Sequence, residues 1–126
     1  MKTLTLQITR DSFCNILDGQ QQKEHRYIYP STASRYILQH DNGDGTCDVE
    51  LLHYDSLRLI NGRRKDAPRL IVEVLGAEII EYRDENGEVA KVKDKHGTEY
   101  YLYGICYSLG KVISSENTEN LQRFRK

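Results

Sequence analysis

Residues 19–30 read GQQQKEHRYIYP, and this stretch predicts the start of a strand after a short helical pattern. In a strand, successive side chains point to opposite faces. One predicted face then carries Glu24, Arg26 and Ile28, and the other carries Lys23, His25, Tyr27 and Tyr29. A glutamate and an arginine two residues apart can form a surface ion pair worth roughly 0–1 kcal/mol, or can turn together toward a ligand.

The same stretch resembles a family signature. Gly19-x-Gln21-x-x-Glu24-x-Arg26 is similar to the G-x-K-x-x-E-x-R motif of the ASCH family, within the PUA-like superfamily, with Gln21 in place of the lysine. Further segments follow in the family's order: Tyr27-x-x-Pro30, Arg35-Tyr36-Ile37, YDSLRLING at 54–62, KDAP at 65–68 and YSLGKV at 107–112. The resemblance covers most of residues 3–113 and is to a small, single-domain member of bacterial type. It implies a PUA-like β-barrel with a cleft between the barrel and the helices.

The N-terminal residues predict a strand followed by a helix. Residues 3–9 alternate apolar and polar side chains, which is typical of a half-buried strand. Thr9 suits the N-cap of the helix, whose apolar stripe contains Phe13 and Ile16. Gly19 suits the left-handed position at which such a helix ends.

The rest of the chain predicts short strands and one more helix. A second short helix is predicted over residues 31–38, and residues 69–82 form the most strand-like stretch. Gly76 within that stretch indicates a bulge or a sharp bend, as curved sheets need. We therefore predict an α+β fold, a small β-barrel with one N-terminal helix and a second short helix. The predicted domain spans residues 1–113, and a polar C-terminal tail spans residues 114–126.

Composition narrows the class of protein. The chain has 126 residues, of which 38% are apolar, and this favours one domain. No apolar run approaches the roughly 18 residues of a membrane helix, so we predict a cytoplasmic protein without membrane contact. The three cysteines and four histidines are scattered, without the spacing of a disulfide framework or a zinc site. We predict no metal and no cofactor.

Charge is unevenly distributed along the chain. The net charge is −1, which argues against a dedicated nucleic-acid binder. Residues 58–69, however, contain five basic residues and one acid, whereas residues 73–99 contain eight acids and four bases. The near-neutral total therefore conceals a basic patch and an acidic strand region.

The favoured function is a binding module for RNA or a nucleotide-like ligand, in the cleft near Glu24 and Arg26. Basic side chains in a loop can meet phosphates, and the nine tyrosines include candidates for stacking on bases. The predicted site consists of Gln21, Glu24, Arg26, Tyr27, Arg35, Arg63, Arg64 and Lys65.

Two alternatives remain open at this point. Some ASCH-like proteins are amidohydrolases that act on acylated cytidines, with a catalytic lysine in the signature and a hydroxyl three residues later. Gln21 and Glu24 occupy those positions here, so the resemblance supplies no catalytic residue, although a buried glutamate can serve as a base. The other alternative is a protein-interaction module with unidentified partners. Retention of a partner after nuclease treatment would distinguish it from an RNA-binding module.

Overall fold

The computed structural model describes residues 2–121. The strands are β1 (Thr3–Gln7), β2 (Lys23–Ile28), β3 (Ile37–Asp41), β4 (Cys47–Leu51), β5 (Ser56–Ile60), β6 (Arg69–Glu81), β7 (Lys91–Lys93), β8 (Glu99–Tyr101) and β9 (Tyr103–Glu116). The α-helix α1 spans Arg10–Leu17, and 3₁₀ turns lie at Ala33–Arg35 and Thr118–Asn120. Residues 2–121 thus form a strand-rich α+β fold with one α-helix, which confirms the predicted class.

The strands form one larger sheet and two small ones. The larger sheet has the order β1-β5-β6-β9-β2, and the pairs β3–β4 and β7–β8 form two-stranded sheets. β1 runs parallel to β5, whereas β5 runs antiparallel to β6. Within residues 2–121 the five-stranded order does not close on itself, so closure into a barrel is not confirmed.

The chain divides into two compact units, each discontinuous in sequence. The first unit contains the described residues up to Glu24, then His53–Gly76, then those from Ser108 onward. The second unit contains His25–Leu52 and Ala77–Tyr107. β2, β6 and β9 contribute residues to both units.

The core of the first unit lies on one face of three neighbouring strands. Leu4 and Leu6 of β1 lie beside Leu57 and Leu59 of β5, which in turn lie opposite Val72 and Leu70 of β6. All six side chains are buried. Successive side chains of a strand point to opposite faces, so this register brings the six apolar side chains to the same face.

α1 forms where the sequence predicts it. The Thr9 side chain accepts a hydrogen bond from the Ser12 N–H and caps the helix, while Phe13 and Ile16 are buried. The cap satisfies one of the N–H groups that lack a partner within the helix. Gly19 follows with φ +78°, the left-handed conformation expected at this position.

The second helix was predicted wrongly. Only Ala33–Arg35 form a 3₁₀ turn, and β3 begins at Ile37. β3 pairs antiparallel with β4 over its whole length, so every second residue of β3 can exchange backbone hydrogen bonds with the neighbouring strand. The pattern from Ser31 to Leu38 cannot show this long-range pairing, because the partner strand begins six residues after β3 ends.

The predicted C-terminal tail is partly folded. β9 extends to Glu116, three residues past the predicted boundary at residue 113, and Leu121 is buried. The Asn117 and Asn120 side chains donate hydrogen bonds to the carbonyls of Ala67 and Asp66. The polar composition of this segment predicted a loose tail, but two of its polar side chains bind backbone carbonyls. Residues 122–126 of the predicted tail lie outside the described residues.

None of the helical segments within residues 2–121 has the length and apolar character needed to cross a membrane.

We expect Leu59→Ala to lower the free energy of unfolding by about 2–5 kcal/mol, because it leaves a cavity in a fully buried position. Chemical denaturation measures this loss. Leu75→Ala is the matched control: Leu75 is 66% exposed, and its truncation should cost less than about 0.5 kcal/mol. Equal losses in the two variants would contradict the placement of the core.

Candidate functional site

Five rings form a continuous aromatic row in the second unit: His25, Tyr27, Tyr29, Tyr82 and Tyr100. Ring centroids are 5.2 Å apart for His25 and Tyr27, 6.4 Å for Tyr27 and Tyr29, and 6.3 Å for Tyr29 and Tyr100. Tyr82 lies 5.5 Å from Tyr27. These separations are typical of interacting aromatic pairs.

The alternation of β2 explains the first part of this row. His25, Tyr27 and Tyr29 occupy every second position along the chain, and all three are exposed. Tyr27 is 45% exposed and Tyr29 is 43% exposed, while Ile28 between them is buried. The two tyrosines therefore present ring surface to solvent, on the face that the sequence predicted.

A cavity of about 640 Å³ adjoins the row. It is lined by Ile28, Tyr29, Pro30, Ala33, Ile37, Gln39, Cys47, Val49, Ile79, Glu81, Tyr100, Tyr101 and Tyr103. Its size falls within the range of small-molecule sites, and its apolar walls with few polar groups are typical of them. Tyr29 and Tyr100 belong to both the row and the cavity.

Besides the tyrosine hydroxyls, two of the cavity's side chains carry an amide or a carboxylate. Gln39 offers an amide, and Glu81 offers a carboxylate that accepts a hydrogen bond from the Arg83 guanidinium. Arg83 also donates to the Gly87 carbonyl at 3.1 Å, which fixes its position. Gln39 and Glu81 can therefore present one kind of donor group and two acceptor groups to a ligand that lies against the tyrosines.

The Tyr82 hydroxyl and His25 Nε2 form a hydrogen bond above Gly104. A Cβ at Gly104 would lie 2.7 Å from His25 Nε2 and 2.9 Å from the Tyr82 oxygen, closer than side chains tolerate. Burial raises the pKa of Tyr82, and the neighbouring Tyr27 and Cys106 raise it further. Tyr82 thus remains a neutral hydroxyl at physiological pH. Tyr82 and Gly104 were not among the residues predicted from the sequence; a glycine inside a strand was the available signal of a close approach.

The predicted site residues divide between the two units. Gln21, Glu24, Arg63, Arg64 and Lys65 belong to the first unit, and Arg26, Tyr27 and Arg35 belong to the second. Glu24 is buried at 6% exposure, Arg26 is half-buried and Arg35 is exposed.

Gln21 occupies the position of the signature lysine, and its amide contacts the first two residues of β2. Its Nε2 donates to the Lys23 carbonyl at 2.9 Å and approaches Glu24 Oε1 at 3.5 Å. An amide has no ionisable proton near neutral pH, so it can orient a carboxylate but cannot act as a base.

The loop between β5 and β6 carries the three predicted phosphate-binding cations. Arg63, Arg64 and Lys65 are all exposed, and Arg64 Nε lies 3.6 Å from Asp66 Oδ1. An exposed pair of this kind contributes about 0–1 kcal/mol, so Asp66 binds Arg64 only weakly.

Hydrogen bonds hold the backbone of this loop at both ends. The Gly62 N–H donates to Gln7 Oε1 at 3.2 Å, and Asn120 Nδ2 donates to the Asp66 carbonyl at 2.7 Å. Gly62 has φ +115°, a conformation that favours glycine. The loop therefore presents its basic side chains from a fixed backbone.

Among residues 2–121, no group of three or more His, Cys, Asp or Glu side chains is arranged to hold a metal ion. Comparison of the chain with protein-family models, curated proteins and solved structures finds no match. The fold and the cavity define a strand-rich α+β protein with a tyrosine-lined pocket, and the ASCH resemblance stays a prediction from its motifs.

We expect Gly104→Ala to destabilise the protein by about 1–3 kcal/mol, because the added methyl group collides with the His25–Tyr82 pair. The effect should appear both in thermal unfolding and in the NMR signals of the His25 ring. Gly76→Ala is the control, since a Cβ there meets no atom within 4 Å. A Gly104→Ala protein as stable as Gly76→Ala, with unshifted His25 signals, would show that the pair does not occupy this space.

Proposed function

We propose that this protein is an ASCH-like binding module for RNA or a nucleotide-like ligand, and that a base of the ligand stacks on the tyrosines of the second unit. The single observation that supports this most strongly is the aromatic row and its adjoining cavity of about 640 Å³. The proposed ligand site therefore lies around Tyr29, and not around Glu24 as the motif suggested.

Exposed tyrosine rings suit bases because every base has a flat π-face. Stacking on an aromatic side chain contributes roughly 1–3 kcal/mol per base and depends little on sequence. Tyr27 and Tyr29 present open ring surface, whereas one face of Tyr101 is covered by the Lys91 ammonium, 5.2 Å from the ring centroid. Tyr29 is the better platform because it also lines the cavity.

Gln39 and Glu81 give the cavity a means to bind the edge of a base. A carboxylate accepts hydrogen bonds from exocyclic amino groups, and an amide both donates and accepts. Glu81 retains acceptor capacity beside its bond to Arg83, because a carboxylate accepts several hydrogen bonds. A base with an exocyclic amino group, such as cytosine or adenine, fits this combination better than uracil.

The two units differ in charge, and each suits a different part of a nucleic acid. The second unit contains most of the acidic residues of 73–99, which repel a phosphate backbone, so base stacking supplies the attraction there. The first unit contains the basic loop of Arg63, Arg64 and Lys65, whose exposed side chains can attract phosphates.

The enzyme alternative has less support than binding. Gln21 offers no base at the signature position, and its amide already contacts the Lys23 carbonyl. We therefore propose a binding module, together with the PUA-like barrel and the cytoplasmic location that the motifs and composition favour.

We expect Tyr29→Leu to weaken binding of a short single-stranded RNA by roughly fivefold to a hundredfold, the loss of one stacked base. Fluorescence anisotropy of a labelled oligonucleotide measures the affinity. Tyr29→Phe retains the ring and should bind like the parent protein. Equal affinity of all three proteins would remove stacking at Tyr29 from the proposal.

Binding of RNA through the basic loop should weaken as salt rises, since each neutralised phosphate releases counterions. With about three contacts, the slope of log K against log salt should be roughly −2 to −3. Arg63→Ala should weaken binding of all sequences alike and reduce the slope by about one. Lys111→Ala removes the same charge from an exposed site on β9 and should leave the slope unchanged. Absence of RNA binding at low salt would instead favour the protein-interaction alternative.

A further inference from the structure

A small polar cavity lies in the first unit, on the sheet face opposite the core. Its volume is about 90 Å³, and its polar lining consists of Arg58, Arg69, Ser114, Ser115 and Glu116. A space of this size is large enough for a tetrahedral oxyanion, since a single water needs only about 10–15 Å³ of such volume.

The register of β5 and β6 brings the two arginines together. Arg58 lies opposite Ile71, and Arg69 is two residues before Ile71 on the same face of β6. Side chains in this diagonal relationship are within reach of each other when they are long. Two guanidinium groups therefore converge on one cavity, and their mutual repulsion favours a bound anion.

Neither arginine is neutralised by the protein within residues 2–121. Glu116 lines the cavity, but no carboxylate of the described chain lies within ion-pair distance of Arg58 or Arg69. Arg69 donates one hydrogen bond, from Nη2 to the Lys65 carbonyl at 3.2 Å. With two cations and one acid, the lining carries a net positive charge.

Arg69 also has a buried hydrogen-bond donor that lacks an acceptor, which indicates that a ligand can bind there. Its Nε is buried and has no hydrogen-bond partner among the described residues. A buried donor without an acceptor is costly, and an oxyanion removes that cost with a charge-assisted bond. Ser114 and Ser115, at the end of β9, also line the cavity, and a serine hydroxyl that faces it can donate to a further oxygen of the same anion.

We propose that Arg58, Arg69, Ser114 and Ser115 form a phosphate-binding pocket. The bound group is a phosphate, either free or part of a phosphodiester backbone, since both offer the same oxygens. This proposal does not rest on base stacking in the second unit, because its residues all belong to the first.

The test follows the arginine Nε–H signals of the isotope-labelled full chain by NMR, at constant ionic strength, during titration with inorganic phosphate. We expect the Arg69 Nε–H signal to shift and to saturate. Arg58→Ala should weaken the phosphate affinity by roughly tenfold, the loss of a charged hydrogen bond. Arg69→Lys should weaken it as well, because lysine keeps the charge but lacks the planar fork.

Two further variants separate specific binding from general attraction. Glu116→Gln removes the acid from the cavity and should tighten phosphate binding. Lys111→Ala, on the same strand but outside the cavity, should leave the affinity unchanged. A missing or unsaturable Arg69 shift, or equal weakening by Arg58→Ala and Lys111→Ala, would overturn the proposal.

A second titration identifies the source of the phosphate. If a short single-stranded RNA shifts the same Arg69 signal and competes with inorganic phosphate, the pocket takes a backbone phosphodiester. If inorganic phosphate alone shifts the signal, the pocket is specific for small phosphates. Tyr29→Leu should not alter the phosphate titration in either case, so failure of the stacking proposal and failure of this one give different results.

Discussion

Burial of one face of β1, β5 and β6 is the constraint on which the first unit depends. Leu57 and Leu59 are fully buried and lie opposite Val72 and Leu70, so the register is fixed by apolar contact. A slip of one residue would turn each of these side chains to the opposite face. The same register sets Arg58 and Arg69 in diagonal positions on the opposite face of the sheet. The proposed phosphate pocket is therefore a consequence of the core.

In the second unit, the alternation of side chains along β2 exposes aromatic rings. Ile28 is buried while Tyr27 and Tyr29 beside it in sequence are exposed, so the end of β2 and the residue after it supply both a core side chain and two open rings. Gly104 leaves the space that the His25–Tyr82 pair occupies, and that pair adjoins Tyr27. A side chain at residue 104 would displace the end of the aromatic row.

The two units differ in the chemistry that they offer. The first unit presents arginines on a fixed sheet face and in a loop whose backbone is held by Asn117 and Asn120. The second presents aromatic rings among acidic residues. Phosphates suit the first unit because they are anions. Bases suit the second unit because stacking does not require positive charge. The overall charge of −1 hides this separation.

Local pattern determined the strand that begins at Thr3, the helix capped by Thr9 and the two faces of β2, because each follows from neighbours in sequence. The sequence also located the exposed basic loop. Tertiary structure decided that residues 37–41 form a strand and that Asn117 and Asn120 bind the loop carbonyls, since these contacts join segments distant in sequence. It also decided which tyrosines line the cavity and which arginines share a pocket. Composition and spacing show how many tyrosines and arginines the chain has and where they lie in the sequence. Only strand register and burial determine which of them lie in contact.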